Sequence, residues 1–235
     1  MRSIRVRLGL ACLLVAAAIQ PGAATSGPEE TPIARGEFIH RFLAPDHEPL
    51  VSYRAFRRLT ASTRGGKMSA SLEAWTTLDP VRGFTYEITA REGSGLIQGK
   101  VLVAALDAER DAVKATDRDE SALTPANYEF LDINPEDERL IKMDVRPRRK
   151  SVMLVSGALF IEADSSDLVR IEGELSKRPS FWTRRVRVVR EYERLEGVHV
   201  PVSMSSTADV LIVGASTFSM TYQYTEINGK PIPER

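Results

Sequence analysis

Cysteine is all but absent: the single one in 235 residues is Cys12. It stands inside Leu8–Ile19, a stretch without charge that follows Arg2, Arg5 and Arg7. Twelve residues are too few to span a bilayer core, which takes roughly 20. Pro21 and Gly22 interrupt the run, and Gly22-Ala23-Ala24 supplies small residues of the kind a signal peptidase requires. The expectation is a signal peptide over residues 1–24, cleaved after Ala24, with residues 25–235 forming one domain. Leu10-Ala11-Cys12 looks like an acylation site, but the apolar run continues well beyond it and too little precedes it, so lipidation is rejected. What remains is free of cysteine, hence of disulfides and thiol chemistry, which suits a periplasmic or secreted protein.

Net charge is also lacking: 32 Lys and Arg face 32 Asp and Glu. Removing three signal-peptide arginines leaves 29 against 32, which argues against nucleic acid as a partner. No later segment is apolar enough to cross a membrane as a helix. Histidine is scarce, and His40, His47 and His199 are not spaced as zinc ligands. A Gly-x-Ser-x-Gly elbow is missing. Gly93-Ser-Gly95 and Gly99 lack the Gly-Lys-Ser/Thr ending of a phosphate loop and are better read as turn chemistry. The acidic run Asp132–Glu138 has oxygen ligands for Ca²⁺ but not the spacing of an EF-hand, so a solvated loop is the better reading. These gaps point away from an enzyme and imply no cofactor and no metal.

What the chain does have is alternation. After a short amphipathic helix over 33–43, period two takes over: Val51 to Leu59, Met68 to Ala74 and Phe84 to Ala90 each carry one more apolar register. Residues 97–115, rich in Ala, Leu and charged side chains, predict an inserted helix. Alternation resumes at 141–145. Residues 152–163 are apolar on both faces and predict a central strand, and strands follow at 168–176, 184–195, 199–213 and 216–227. About ten strands joined by short turns, with two helices at most, predict antiparallel pairing. A sheet apolar on one face must cover it with helices, curl on itself, or bind something apolar.

Leu140-Ile-Lys-Met-Asp-Val-Arg146, Leu159-Phe-Ile-Glu-Ala-Asp164, Leu168-Val-Arg-Ile-Glu-Gly173 and the strand Tyr192–Pro201 form a succession. With Asp164, Gly197, Val198, Val200 and Pro201 at the matching positions, residues 138–227 resemble the outer-membrane lipoprotein carrier superfamily of LolA- and LolB-like proteins. The resemblance implies a mainly β fold: a strongly bent antiparallel sheet, or incomplete barrel, covered by one or two helices. It also implies a periplasmic protein whose concave apolar face holds lipid or the acyl chains of lipoproteins. The acylated cysteine of the membrane-anchored relatives is missing, so only hydrophobic-ligand binding carries over, not lipoprotein transfer.

Phe84, Tyr86, Ile88, Leu159, Ile161, Val186, Val188, Phe218, Met220 and Tyr222 occupy the more apolar register of their strands and are expected to share that face, some as core and some as cavity lining. Phe181 and Trp182 lie between cationic pairs in a break between strands. They either plug the end of the core or mark a rim, with Arg184 and Arg185 near an anionic headgroup and transient membrane contact. The functional expectation is a carrier or envelope sensor for lipid or acylated protein. The alternative is a structural or interaction module with a closed core and no ligand cavity. The export reading makes a direct prediction: N-terminal sequencing of protein from the envelope will begin within about two residues of Thr25.

Overall fold

In a computed structural model, residues 35–44, 48–114, 121–181, 183–211 and 214–233 are described. The expected signal peptide and the lead-in to the first helix lie outside them. Helix α1 is Arg35–Leu43. Strands β1 (Tyr53–Thr63), β2 (Met68–Asp79) and β3 (Gly83–Gly93) follow as a meander. Three consecutive pieces, Gly95–Ile97, a π-helical stretch Gln98–Val103 and Ala104–Lys114, make one joined helix, α2. The rest is strand: β4 (Tyr128–Pro135), β5 (Leu140–Pro147), β6 (Val155–Glu162), β7 (Leu168–Leu175), β8 (Thr183–Leu195), β9 (Val198–Val210), β10 (Gly214–Ile227) and the two-residue β11 (Lys230–Pro231).

All pair antiparallel in a single sheet ordered β3-β2-β1-β10-β9-β8-β7-β6-β5-β4, with β11 on β10. The sheet does not close, because β3 and β4 remain at its two edges. The mainly β, antiparallel, helix-covered class read from the sequence is the one found. Register shifts at Arg54/Ala55, Glu73/Ala74, Phe160/Ile161 and Glu191/Tyr192 bend it, since an extra residue on one strand increases local twist. Tight turns hold the meander. Asp79 Oδ1 accepts the amides of Val81 and Arg82, both at 2.8 Å, and Gly83 completes that turn at φ +72°. The β8–β9 hairpin turns on Glu196 and Gly197, both at positive φ, as a two-residue turn demands.

The pairing defines which side chains share a face. One row runs across ten strands: Gly93, Ala70, Ala61, Phe218, Ser206, Val188, Gly173, Gly157, Val145 and Phe130. Directly paired residues point to the same side. Both hydrophobic cores therefore lie on one face of one sheet. The first joins β1–β3 and β8–β10 beneath Ile97, Leu102, Ala105 and Leu106 of α2. The second joins β4–β7 beneath Phe38 and Phe42 of α1. Between them Gly157 and Gly173 face each other, and a Cβ on Gly173 would lie 2.3 Å from the Ser156 carbonyl oxygen. The strands come together there only because neither carries a side chain.

Residues 152–163 hold β6, paired on both sides but third from the β4 edge rather than central in the sheet. Ala158–Ile161 are buried in succession. The outward Phe160 is covered by the Arg170 guanidinium, 3.9 Å above its ring. Gly173→Ala must push two strands apart and is expected to lower stability by about 1–3 kcal/mol. Gly99→Ala, on the exposed helix surface with open space around it, is expected to be neutral or to gain up to about 1 kcal/mol. Urea unfolding of the two variants checks both.

Candidate functional site: the covered face and its buried ion pair

Helix α2 lays the stripe Leu102, Ala105, Leu106, Glu109 and Val113 on the sheet, at the 3–4 spacing of one helical face. Four of these are apolar. The fifth, Glu109, is 1 % exposed, and it meets Arg57 of β1, which is 0 % exposed. Arg57 occupies the apolar register of its strand between Ala55 and Leu59. Its Nη1 donates to Glu109 Oε2 at 2.5 Å and its Nη2 to Oε1 at 2.9 Å. Nη2 also donates to the Tyr53 hydroxyl at 2.5 Å, and that hydroxyl donates to Glu109 Oε1 at 3.1 Å. Three rings box the guanidinium: Tyr222 at 4.4 Å, Phe84 at 5.2 Å and Tyr53 at 5.7 Å. Its Nε is buried and has no hydrogen-bond partner among the described residues.

Burial by itself would push the Arg57 pKa down, but the charge of Glu109 and the neighbouring tyrosines hold it well above the ordinary arginine value. The group is a cation in the core. Burial also raises the Tyr53 hydroxyl well above its usual range, so it stays protonated and able to donate. Toward the solvent edge of α2 a second tie joins the helix to β3. The Tyr86 hydroxyl donates to Asp107 Oδ1 at 2.7 Å, and Arg110 pairs with the same oxygen at 2.8 Å. The sequence reading passed over Arg57 and Glu109. The available signal was an arginine in the apolar register of a strand and a glutamate in the apolar stripe of a helix.

Of the ten face residues expected together, eight join the first core or pack against it: Phe84, Val186, Val188, Phe218 and Met220 buried, Tyr86, Ile88 and Tyr222 partly so. Leu159 and Ile161 are buried in the second core, under α1. They share the face but not the cluster, because the Gly157–Gly173 pair lies between. Phe181 is 85 % exposed. Trp182 lies outside the described residues. Arg184 is exposed, and Arg185 pairs with Glu174 at 3.2 Å. The residues around Phe181 occupy the end of the sheet where β8 begins and β9 ends.

Two open grooves lie at the opposite end. One, of ≈ 470 Å³, is bordered by Tyr53, Trp75, Leu78, Asp79 and Tyr86. The other, of ≈ 390 Å³, is bordered by Leu195, Tyr222, Tyr224, Ile232 and Pro233. The first also includes Arg54, Thr77, Thr85, Glu87 and Glu226 of the outward register and so opens on the face away from α2, whereas the second reaches Tyr222, a ring that encloses Arg57. Of the acidic run read as a loop, residues 132–135 belong to β4 and only 136–138 turn, with Asp137 Oδ1 accepting the amides of Arg139 and Leu140. Among the described residues no group of three His, Cys, Asp or Glu is placed to hold a metal ion, and no helix is long and apolar enough to cross a membrane. His40 is exposed, His47 lies outside the described residues, and His199 stacks on Tyr192 at 5.1 Å.

No protein-family model matches this chain, and no curated protein matches it in sequence. Among solved structures it is similar to a LolA superfamily protein, NE2245 from Nitrosomonas europaea. Identity is 12 %, with 81 % of this chain and 90 % of that one covered, at a TM-score of 0.38. It is also similar to a DUF1329 family protein from Desulfovibrio piger, with 12 % identity, 73 % and 84 % coverage and a TM-score of 0.34.

The buried pair makes a prediction about stability. Glu109→Ala strands the Arg57 charge in the core and is expected to cost about 3–5 kcal/mol. The double variant Arg57→Met, Glu109→Leu removes both charges and is expected to recover most or all of that loss. Urea midpoints of the two proteins, read alongside wild type, test the coupling.

Proposed function

We propose that the protein binds lipid or acylated protein against the covered face of its sheet, as a carrier or sensor in the cell envelope. The observation that supports this reading is how the face is covered. Ten strands share one face that carries two apolar cores, and helices rather than a second sheet shield it. The cover over the first core is a single joined helix with a π-helical stretch, a feature common at functional sites. Its tether to β1 is a polar network, and polar contacts can be exchanged for other polar contacts. Displacing α2 would uncover Leu59, Leu72, Met220 and their neighbours, and an acyl chain would replace the helix stripe at about 0.8 kcal/mol per methylene buried.

One observation favours the alternative, an interaction module with a closed core. The apolar side chains beneath α2 are already packed against it, and both grooves are open and partly polar at their walls. Locking the helix separates the readings. A Cβ on Gly83 would stand 3.7 Å from Val113 Cγ1, so Gly83→Cys with Val113→Cys tethers β3 to the end of α2; the positive φ of residue 83 strains the cysteine equally in both redox states, so reduced and oxidised forms of this one variant are compared. The expected outcome is uptake of a dansyl-labelled fatty acid by the reduced protein and at least about tenfold weaker uptake by the oxidised one. Equal uptake in both forms would place the ligand elsewhere. No uptake by wild type, with no lipid on protein isolated from the envelope by native mass spectrometry, would support the interaction module.

A further inference from the structure

We infer that Arg57 is the receptor for an anionic headgroup, and that Glu109 is the group a ligand must replace: the molecule taken up is a single-chain amphiphile ending in a carboxylate or a phosphate. This rests on the proposed ligand binding under α2 and names the class of ligand. The arginine is removed from water in advance, and its partner is a carboxylate delivered by the element that has to move. A neutral lipid that displaced the helix would leave the guanidinium buried without a counter-charge, which is strongly unfavourable. An anionic lipid restores the pair. Binding is then an exchange of one carboxylate for another anion, and the charge count of the core is unchanged.

The details of the pair favour this reading over a purely structural role. Glu109 engages only the two Nη atoms, end-on, while Nε is buried without a partner. A carboxylate or phosphate seated side-on could take Nε–H together with one Nη–H, satisfying a donor that Glu109 leaves over. The surroundings divide by polarity as an amphiphile does. The Tyr53 hydroxyl stands beside the guanidinium, ready to donate to an incoming oxygen, and the rings of Phe84 and Tyr222 shield the charge. Beyond them toward the other end of β1 and β10 the face is apolar: Leu59, Leu72, Met220, Phe218. The groove bordered by Leu195, Tyr222 and Ile232 reaches one of the tyrosines that contact Arg57, which gives a headgroup an approach along β10. Arg184 and Arg185 lie at the far end of the strands, exposed to solvent, where a charge is screened and binds an anion weakly.

The test compares three ligands on wild-type protein: oleate, dodecyl phosphate and oleyl alcohol, the last having the chain of oleate without the charge. Displacement of an anionic fluorescent probe, a pyrene-labelled fatty acid, gives the affinities. The expected result is that oleate or dodecyl phosphate competes at least about tenfold better than oleyl alcohol, a margin of about 1.4 kcal/mol. Whichever of the two anions competes better identifies the headgroup. Glu109→Gln is expected to widen the margin by removing the internal competitor, and Arg57→Met to abolish it, while Arg184→Gln with Arg185→Gln leaves it unchanged. If the buried-site variants do not fold, the wild-type ranking and the surface variant still decide. Oleyl alcohol binding as tightly as the anions would overturn the headgroup assignment and leave the carrier reading standing. No displacement of the probe, because the probe itself does not bind, would overturn both.

Discussion

A guanidinium taken wholly out of water is stable only beside a matched charge, and Arg57 is fully buried against the first core. That requirement organises the structure around it. Glu109 has to be present, so α2 has to cross the sheet at β1 and no other place. Tyr53 has to turn its hydroxyl inward, and the rings of Phe84 and Tyr222 have to stand where they shield the cation. The helix also buries apolar side chains, but those contacts would tolerate sliding. The ion pair gives the cover a single register on the face beneath it.

The sheet has the complementary property. Its face is continuous from edge to edge, yet the two cores on it are separate, because the paired glycines Gly157 and Gly173 put no side chain at the midpoint of the row. Each half has its own helix and its own polar fastening. On the second half, Arg41 of α1 donates to the Ser166 hydroxyl at 2.6 Å and to the Ala163 carbonyl at 3.0 Å, while Asp167 next to them pairs with Arg194. Each helix is therefore fastened within its own half of the face.

Much of this was legible in local sequence. Alternation placed the strands and short turns dictated antiparallel neighbours, because period and turn chemistry are properties of consecutive residues. The helix over 97–115 was visible by its loss of period two, although its start at Gly95 was not. Eight of the ten side chains expected on the covered face lie in or against one cluster, because they share a register along their strands. Its division was not, since Leu159 and Ile161 part from the others only through a glycine pair whose members are 16 positions apart and meet by register. Arg57 and Glu109 are 52 positions apart. Each taken alone is an ordinary charged residue in an amphipathic element, and only the crossing of helix over strand makes them partners.

The pairing of β1 with β10 joins residues 53–62 to residues 217–227, close to the two ends of the described chain. During synthesis the early meander β1–β3 therefore carries an unsatisfied edge at β1 until β10 has been made, and the middle strands cannot join it without β10. Such long-range closure slows folding, because the loop entropy is spent before the contacts form. Strand β10 acts as a keystone: a chain cut short before Gly214 would hold two unfinished sheets with exposed edges at β1 and β9.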